Sequence, residues 1–225
     1  MSNSRRVAVL LGCVVVAFAV AWYSGAQSGP RGPQPAPGAV RLGPEPGEPV
    51  ASYLARLPDE LPPPGVEVPA LVQLAVGTDA ATVTDVLGAV APVSAVLRVP
   101  VPRVQTALRF SPVELGVPPQ TALDRAREGA RRAASAEVAR LTGRPAAVAA
   151  AEAAALADPS CPCVVAVVVQ ADRAYLLALA ARPPVRAVHA APAGTTQPEI
   201  ALSPLLPDQV ERADPLPDDG PLPPG

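Results

Sequence analysis

The sequence predicts an α+β protein: a split βαβ sandwich with an inserted helical pair, behind an N-terminal transmembrane helix and a Pro-rich linker. Three observations predict it. A strand, an Asp-capped helix and a return strand occur twice along the chain. An uncharged run fills residues 7–23. The 32 prolines of the 225-residue chain gather mostly in two flanking stretches.

The chain starts with a polar segment, 1–6, ending in Arg5-Arg6. Residues 7–23 (VAVLLGCVVVAFAVAWY) follow without a charge. Seventeen residues in a helix cover roughly 25 Å, near the lower limit for crossing a bilayer. Trp22 and Tyr23 close the run where interfacial aromatics sit, and Arg5 and Arg6 place the N-terminus in the cytoplasm. The expectation is a single-pass signal anchor in the cell membrane with everything beyond it extracytoplasmic. The alternative is secretion after cleavage near Ala26, because Ser24-Gly25-Ala26 supplies small residues. A third alternative is a lipoprotein modified at Cys13 after Leu10-Leu11-Gly12, but the apolar run continues well past it, and Cys13 reads as a thiol within the run.

Residues 24–69 hold twelve prolines and residues 192–225 hold nine. The first stretch reads as a Pro/Gly-rich linker, extended and solvated, with two helical turns at 50–57. The second carries Glu199, Asp208, Glu211, Asp214, Asp218 and Asp219 against Arg212. It reads as a disordered acidic Pro-rich tail. Limited proteolysis is then expected to leave a core near 66–195, with the folded domain at 70–191.

Within that domain, 71–76 reads as a strand and 79–90 as a helix with Val83, Val86, Leu87 and Val90 on one face. Residues 93–99 alternate, with Ser94 and Arg98 opposite the apolar set, as in a half-buried strand. Residues 103–110 are a further strand or an extended return. Thr121 with Asp124 resembles a capping box opening a helix over 122–142. Gly143 ends it, and Pro145 opens a second helix to about 157. VVAVVV (164–169) is apolar on both faces, as in a central strand. A short helix at 172–182 and an edge-like strand at 185–190 complete the chain of elements.

The helices after Asp79 and Asp172 start 93 positions apart, and each leads to Pro-Val-x-Ala-Val, at Pro92 and at Pro184. Two such units give the spatial strand order 4-1-3-2, with 71–76 and 164–169 central and 93–99 and 185–190 at the edges. The pattern resembles ferredoxin-like modules such as heavy-metal-associated domains and protease propeptides. The first of these place a Cys pair after the first strand. Here Gly77-Thr78-Asp79 stands there, so metal transport is not supported.

Cys161-Pro162-Cys163 is the most distinctive local feature. Outside the cytoplasm the two thiols would meet an oxidising compartment. They read as a disulfide staple, or alternatively as a redox pair for thiol–disulfide exchange. His189, the single histidine, falls at the opposite end of the sheet from the cysteines, so the three share no metal site. Arg125, Arg127, Arg131 and Arg132 give the first inserted helix a basic surface suited to anionic headgroups or an acidic partner. Acids are interspersed, with Glu128 and Arg132 spaced as an i,i+4 pair.

The near-balanced charge of −2 argues against nucleic-acid binding. All 18 basic residues are Arg, which with the Ala, Pro and Gly content fits a high-GC bacterium. There is no phosphate-binding Gly-rich motif and no nucleophile elbow, so no cofactor, catalytic or metal residue is assigned. The expectation is a membrane-anchored binding, regulatory or scaffold protein that works with an envelope partner and is not an enzyme. The alternatives are a thiol–disulfide protein and an inhibitor or propeptide-like module.

Overall fold

The computed structural model describes residues 38–223. The 7–23 run, Cys13 and the 1–6 segment lie outside the described residues. Among the described residues, no helix is long and apolar enough to cross a membrane.

Five strands form one antiparallel sheet: β2 (Val68–Thr78), β3 (Pro92–Leu97), β4 (Arg109–Pro112), β5 (Val164–Ala171) and β6 (Val185–Ala190), in the order β4-β3-β5-β2-β6. The four strands of the two repeated units therefore stand as β6-β2-β5-β3. The 93–99 segment is not an edge. β4 pairs with it, Val96 opposite Phe110. The alternation of β3 does not mark an exposed face either, because Ser94 is half-buried and Val96 and Arg98 are buried.

Among the described residues, five α-helices accompany the sheet: α1 (Val50–Arg56), α2 (Ala80–Leu87), α3 (Pro119–Val138), α4 (Gly143–Ala157) and α5 (Arg173–Ala180). The two repeated units start their helices identically. Asp79 accepts from the Thr82 N–H at 2.8 Å, and Asp172 from the Tyr175 N–H at 2.9 Å, both at φ −85° and ψ 171°. α3 departs from its predicted start. Pro118 is its cap, without a side-chain bond, and Pro119 begins the helix, so Thr121 and Asp124 lie inside it. A proline is pre-organised for that first position, which removes the need for a capping box.

One face of the sheet packs on the helices. Ala70, Val72 and Leu74 of β2 and Val167 and Val169 of β5 meet Val83 and Leu87 of α2, Leu176 and Leu179 of α5, and Leu123 of α3. The opposite face is also covered, and this corrects the domain boundaries. Residues 38–69 are not a free linker, and residues 192–223 are not a disordered tail. Leu42 and Leu206 pack on Leu71, Val96, Val165 and Val168. Val50, Tyr53 and Leu57 pack with Leu205 and Ala187. β1 (Val40–Leu42) and β7 (Ile200–Leu202) pair in parallel, joining the two flanks. Proline forbids most ladder and helix bonds, yet it does not forbid burial of the leucines between prolines. The architecture is three layers: helices, sheet, and paired terminal segments.

Candidate functional site

Cys161 and Cys163 are joined as a disulfide just before β5, with Cα atoms 5.2 Å apart. Both are buried, Cys161 at 5% exposure and Cys163 at 0%. They sit against the end of β2, where the Pro162 carbonyl lies so near Gly77 that a Cβ there would come within 2.2 Å of it.

The predicted basic surface is largely neutralised. Arg125 pairs with Glu114, and Arg131 with Glu128 at 2.6 Å. Arg127 reaches the Leu156 carbonyl at 2.5 Å and Asp124 at 3.6 Å. The expected Glu128–Arg132 pair does not form, because Glu128 turns to Arg131 one position nearer. Among the described residues, Arg132 has no ion pair.

His189 sits far from the cysteines, near the end of β6, at 6% exposure. Its Nδ1 accepts from the Gly43 N–H at 2.8 Å and faces the Tyr53 hydroxyl at 3.2 Å. Nε2 therefore carries the proton and faces Glu60 Oε2 at 3.3 Å. Gln73 donates to the Tyr53 hydroxyl at 2.7 Å and accepts from the Leu205 N–H at 2.6 Å. This chain of bonds ties both terminal segments to β2 and β6. Burial pushes the His189 pKa down to about 4 and that of Tyr53 up to about 12. Gly43 stands where the segments cross. Its φ is +131°, and a Cβ would lie 1.7 Å from the Ser203 carbonyl oxygen.

A second polar system surrounds the connection between β3 and β4. Arg98, on the sheet face turned from the helices, is 5% exposed. It donates to Asp208 at 2.8 Å and toward the Val104 carbonyl at 3.4 Å. Beyond it, the loop around Arg103 and Gln105, with Arg144 from the first turn of α4, holds residues 216–220 of the C-terminal segment. Arg103 pairs with Asp219, and its guanidinium holds that carboxyl below the usual range. Asp218 Oδ1 accepts from the Gln105 N–H at 3.1 Å and from Arg144 at 3.2 Å. The Gln105 side chain donates to the Leu216 carbonyl. The Gly220 N–H donates to the Arg103 carbonyl at 2.8 Å, and its own carbonyl accepts from Arg144 at 2.9 Å.

Two clefts border this strap. One, of about 330 Å³, is lined by Arg98, Val101, Arg103, Asp208, Leu216 and Pro217 among others. The other, of about 270 Å³, includes Gln105, Glu137, Arg144, Val148, Glu152 and Asp218 in its lining. The carboxylates of Glu137 and Glu152 are both engaged by Arg109, and Glu152 also accepts from the Ala107 N–H at 2.6 Å. Among the described residues, no group of three or more Cys, His, Asp or Glu side chains is placed to hold a metal.

Of the residues singled out from sequence, the structure brings together only Cys161 and Cys163. Sequence reasoning missed the strap groove. Its signal was an acidic tail in a chain whose opposite charges, Arg98, Arg103 and Arg144, fall in one loop and one helix start. The chain matches no protein-family model, no curated protein and no solved structure.

Proposed function

We propose that this is a single-pass, membrane-anchored extracytoplasmic protein whose folded part is a split βαβ, ferredoxin-like sandwich with an added edge strand. Its role is binding, regulation or scaffolding at the cell envelope, without catalysis of its own. The observation that carries the location is the uncharged 7–23 run, preceded by Arg5-Arg6 and closed by Trp22-Tyr23. The Cys161–Cys163 disulfide is consistent with an oxidising compartment. In this reading it is a staple at the start of β5. Exchange requires access by an attacking thiolate, and both cysteines are buried.

What supports binding over catalysis is the chemistry on the surface. Around residues 216–220 the polar groups that converge are arginines, Gln105 and main-chain groups holding a peptide segment, an arrangement suited to recognition. Fractionation of cells producing the full chain tests the location. The protein should stay with membranes after a high-salt wash, dissolve in detergent, and lose its domain to protease added outside intact spheroplasts. A soluble cytosolic protein, or a secreted form beginning at Gln27, overturns the reading.

A further inference from the structure

The loop of residues 98–106 and the start of α4 form a docking groove for a peptide. We propose that it takes, in trans, an extended acidic segment of a partner protein with the chemistry Pro-Asp-Asp-Gly, and that residues 216–220 occupy it in cis as a competitor. The proposal rests on the binding reading above and names the partner's chemistry.

The groove reads main chain and charge together. Arg103 and Arg144 take the two successive carboxylates, Asp219 and Asp218. Gln105 takes the Leu216 carbonyl with its side chain and Asp218 with its N–H. The Arg103 carbonyl and the Arg144 guanidinium clamp the N–H and C=O of Gly220. A Cβ at position 220 would come within 2.4 Å of the Pro102 carbonyl oxygen, so the groove accepts only glycine there.

The receptor side is fixed independently of the strap. Arg103 holds φ 57°, a left-handed conformation that a non-glycine residue seldom adopts and that functional loops often retain. The Val101 N–H donates to the Val99 carbonyl at 3.1 Å, and the Thr106 hydroxyl donates to the same carbonyl at 2.6 Å.

The cis occupant is held by exchangeable contacts. Its ion pairs are solvent-exposed, with side-chain exposures of 60% and 63% for Arg103–Asp219 and 41% and 46% for Arg144–Asp218. Such pairs exchange with water and added salt more readily than buried ones. Pro215, Pro217, Pro221 and Pro223 deny the strap a regular ladder, and Leu216 and Leu222 are only half-buried. The clefts of about 330 and 270 Å³ beside it show that the strap leaves groove volume unfilled.

The test uses the full chain in detergent and a fluorescent peptide of residues 213–223 as the probe. Asp218→Asn with Asp219→Asn loosens the strap and leaves the groove intact. This variant should bind the peptide at least about tenfold more tightly than the parent chain, which carries its own competitor. Added salt should weaken that binding. A peptide with both aspartates changed to asparagine should bind at least about tenfold more weakly. Adding Arg103→Ala and Arg144→Ala to the loosened chain should abolish binding while the thermal transition stays cooperative. No binding by a loosened chain that still melts cooperatively overturns the proposal. So does a concentration-dependent doubling of the parent chain's molecular mass, which would make the groove an exchange site between copies. Neither outcome bears on membrane location, so failure here and failure of the localisation test are separable.

Discussion

His189 is the residue that ties the N-terminal segment to β6. Its Nδ1 accepts from one segment through the Gly43 N–H and faces Tyr53 of the same segment. Protonating Nδ1 would turn this acceptor into a donor and set it against the Gly43 N–H, which can only donate. The charged groups nearby are Glu60 and Glu48, which favour the imidazolium, and Arg56, which opposes it. Burial outweighs them, and the folded-state pKa falls to about 4 from an ordinary 6.5. The unfolded chain takes up the proton below 6.5, and the folded chain only below about 4. The stabilisation is therefore complete above pH 6.5, is lost as pH falls from 6.5 to 4, and does not change further below that. Two and a half pKa steps correspond to about 3 kcal/mol. His189→Gln removes the titration. Thermal midpoints at pH 7 and pH 4.5 should differ markedly less for this variant than for the parent chain. An equal loss in both would show that other groups, not His189, carry the acid sensitivity. The single histidine was visible in sequence, but its partners were not. They come from positions 43, 53 and 60, which the proline content had assigned to a linker.

At the scale of elements, the repeated unit was legible because its cues are local. Asp79 and Asp172 each precede an apolar-periodic stretch, and each caps its helix with the same backbone angles. Replacing an N-cap Asp by Ala costs about 1 kcal/mol. Asp79→Ala and Asp172→Ala should therefore lower stability by similar amounts in chemical denaturation, and the double variant by about their sum, since the two caps start different helices. A negligible effect at one site would mean that tertiary packing alone holds that helix start. The start of α3 was misread for the converse reason. Thr121 and Asp124 have capping-box chemistry, but Pro119 opens the helix before them. β5 carried a cue that was read only halfway. Its apolar residues point to both faces, so both faces need cover: Val167 and Val169 meet the helix side, and Val165 and Val168 meet Leu42 and Leu206.

For the whole molecule, that second cover decides where the domain ends. The prolines of the flanks argued for solvated segments, because composition records what the backbone cannot do. It does not record where each intervening leucine goes. Leu42, Tyr53 and Leu205 are at 0% exposure, and all three lie outside the 70–191 span. The segments also hold each other, with the Ser203 N–H donating to the Leu42 carbonyl at 2.8 Å and the Ala213 N–H to the Glu48 carbonyl at 2.9 Å. A chain ending at residue 191 would leave Leu71, Val96 and Val168 facing water and strip Gln73 of its Leu205 partner. Burying large apolar side chains contributes about 1.5–3 kcal/mol each, and native domains hold only about 5–15 kcal/mol in total. Truncation after Ala191 should therefore abolish the cooperative thermal transition or produce aggregates. Leu205→Ala, a milder change, should cost about 2–5 kcal/mol as a core truncation. Should the truncated chain melt within a few degrees of the full one, and Leu205→Ala be neutral, the terminal layer would be ornamental and 70–191 would be the domain after all. Limited proteolysis reads the same question without mutation. A resistant fragment that starts near Val40 and extends past Leu206 is expected, in place of one bounded near 66 and 195.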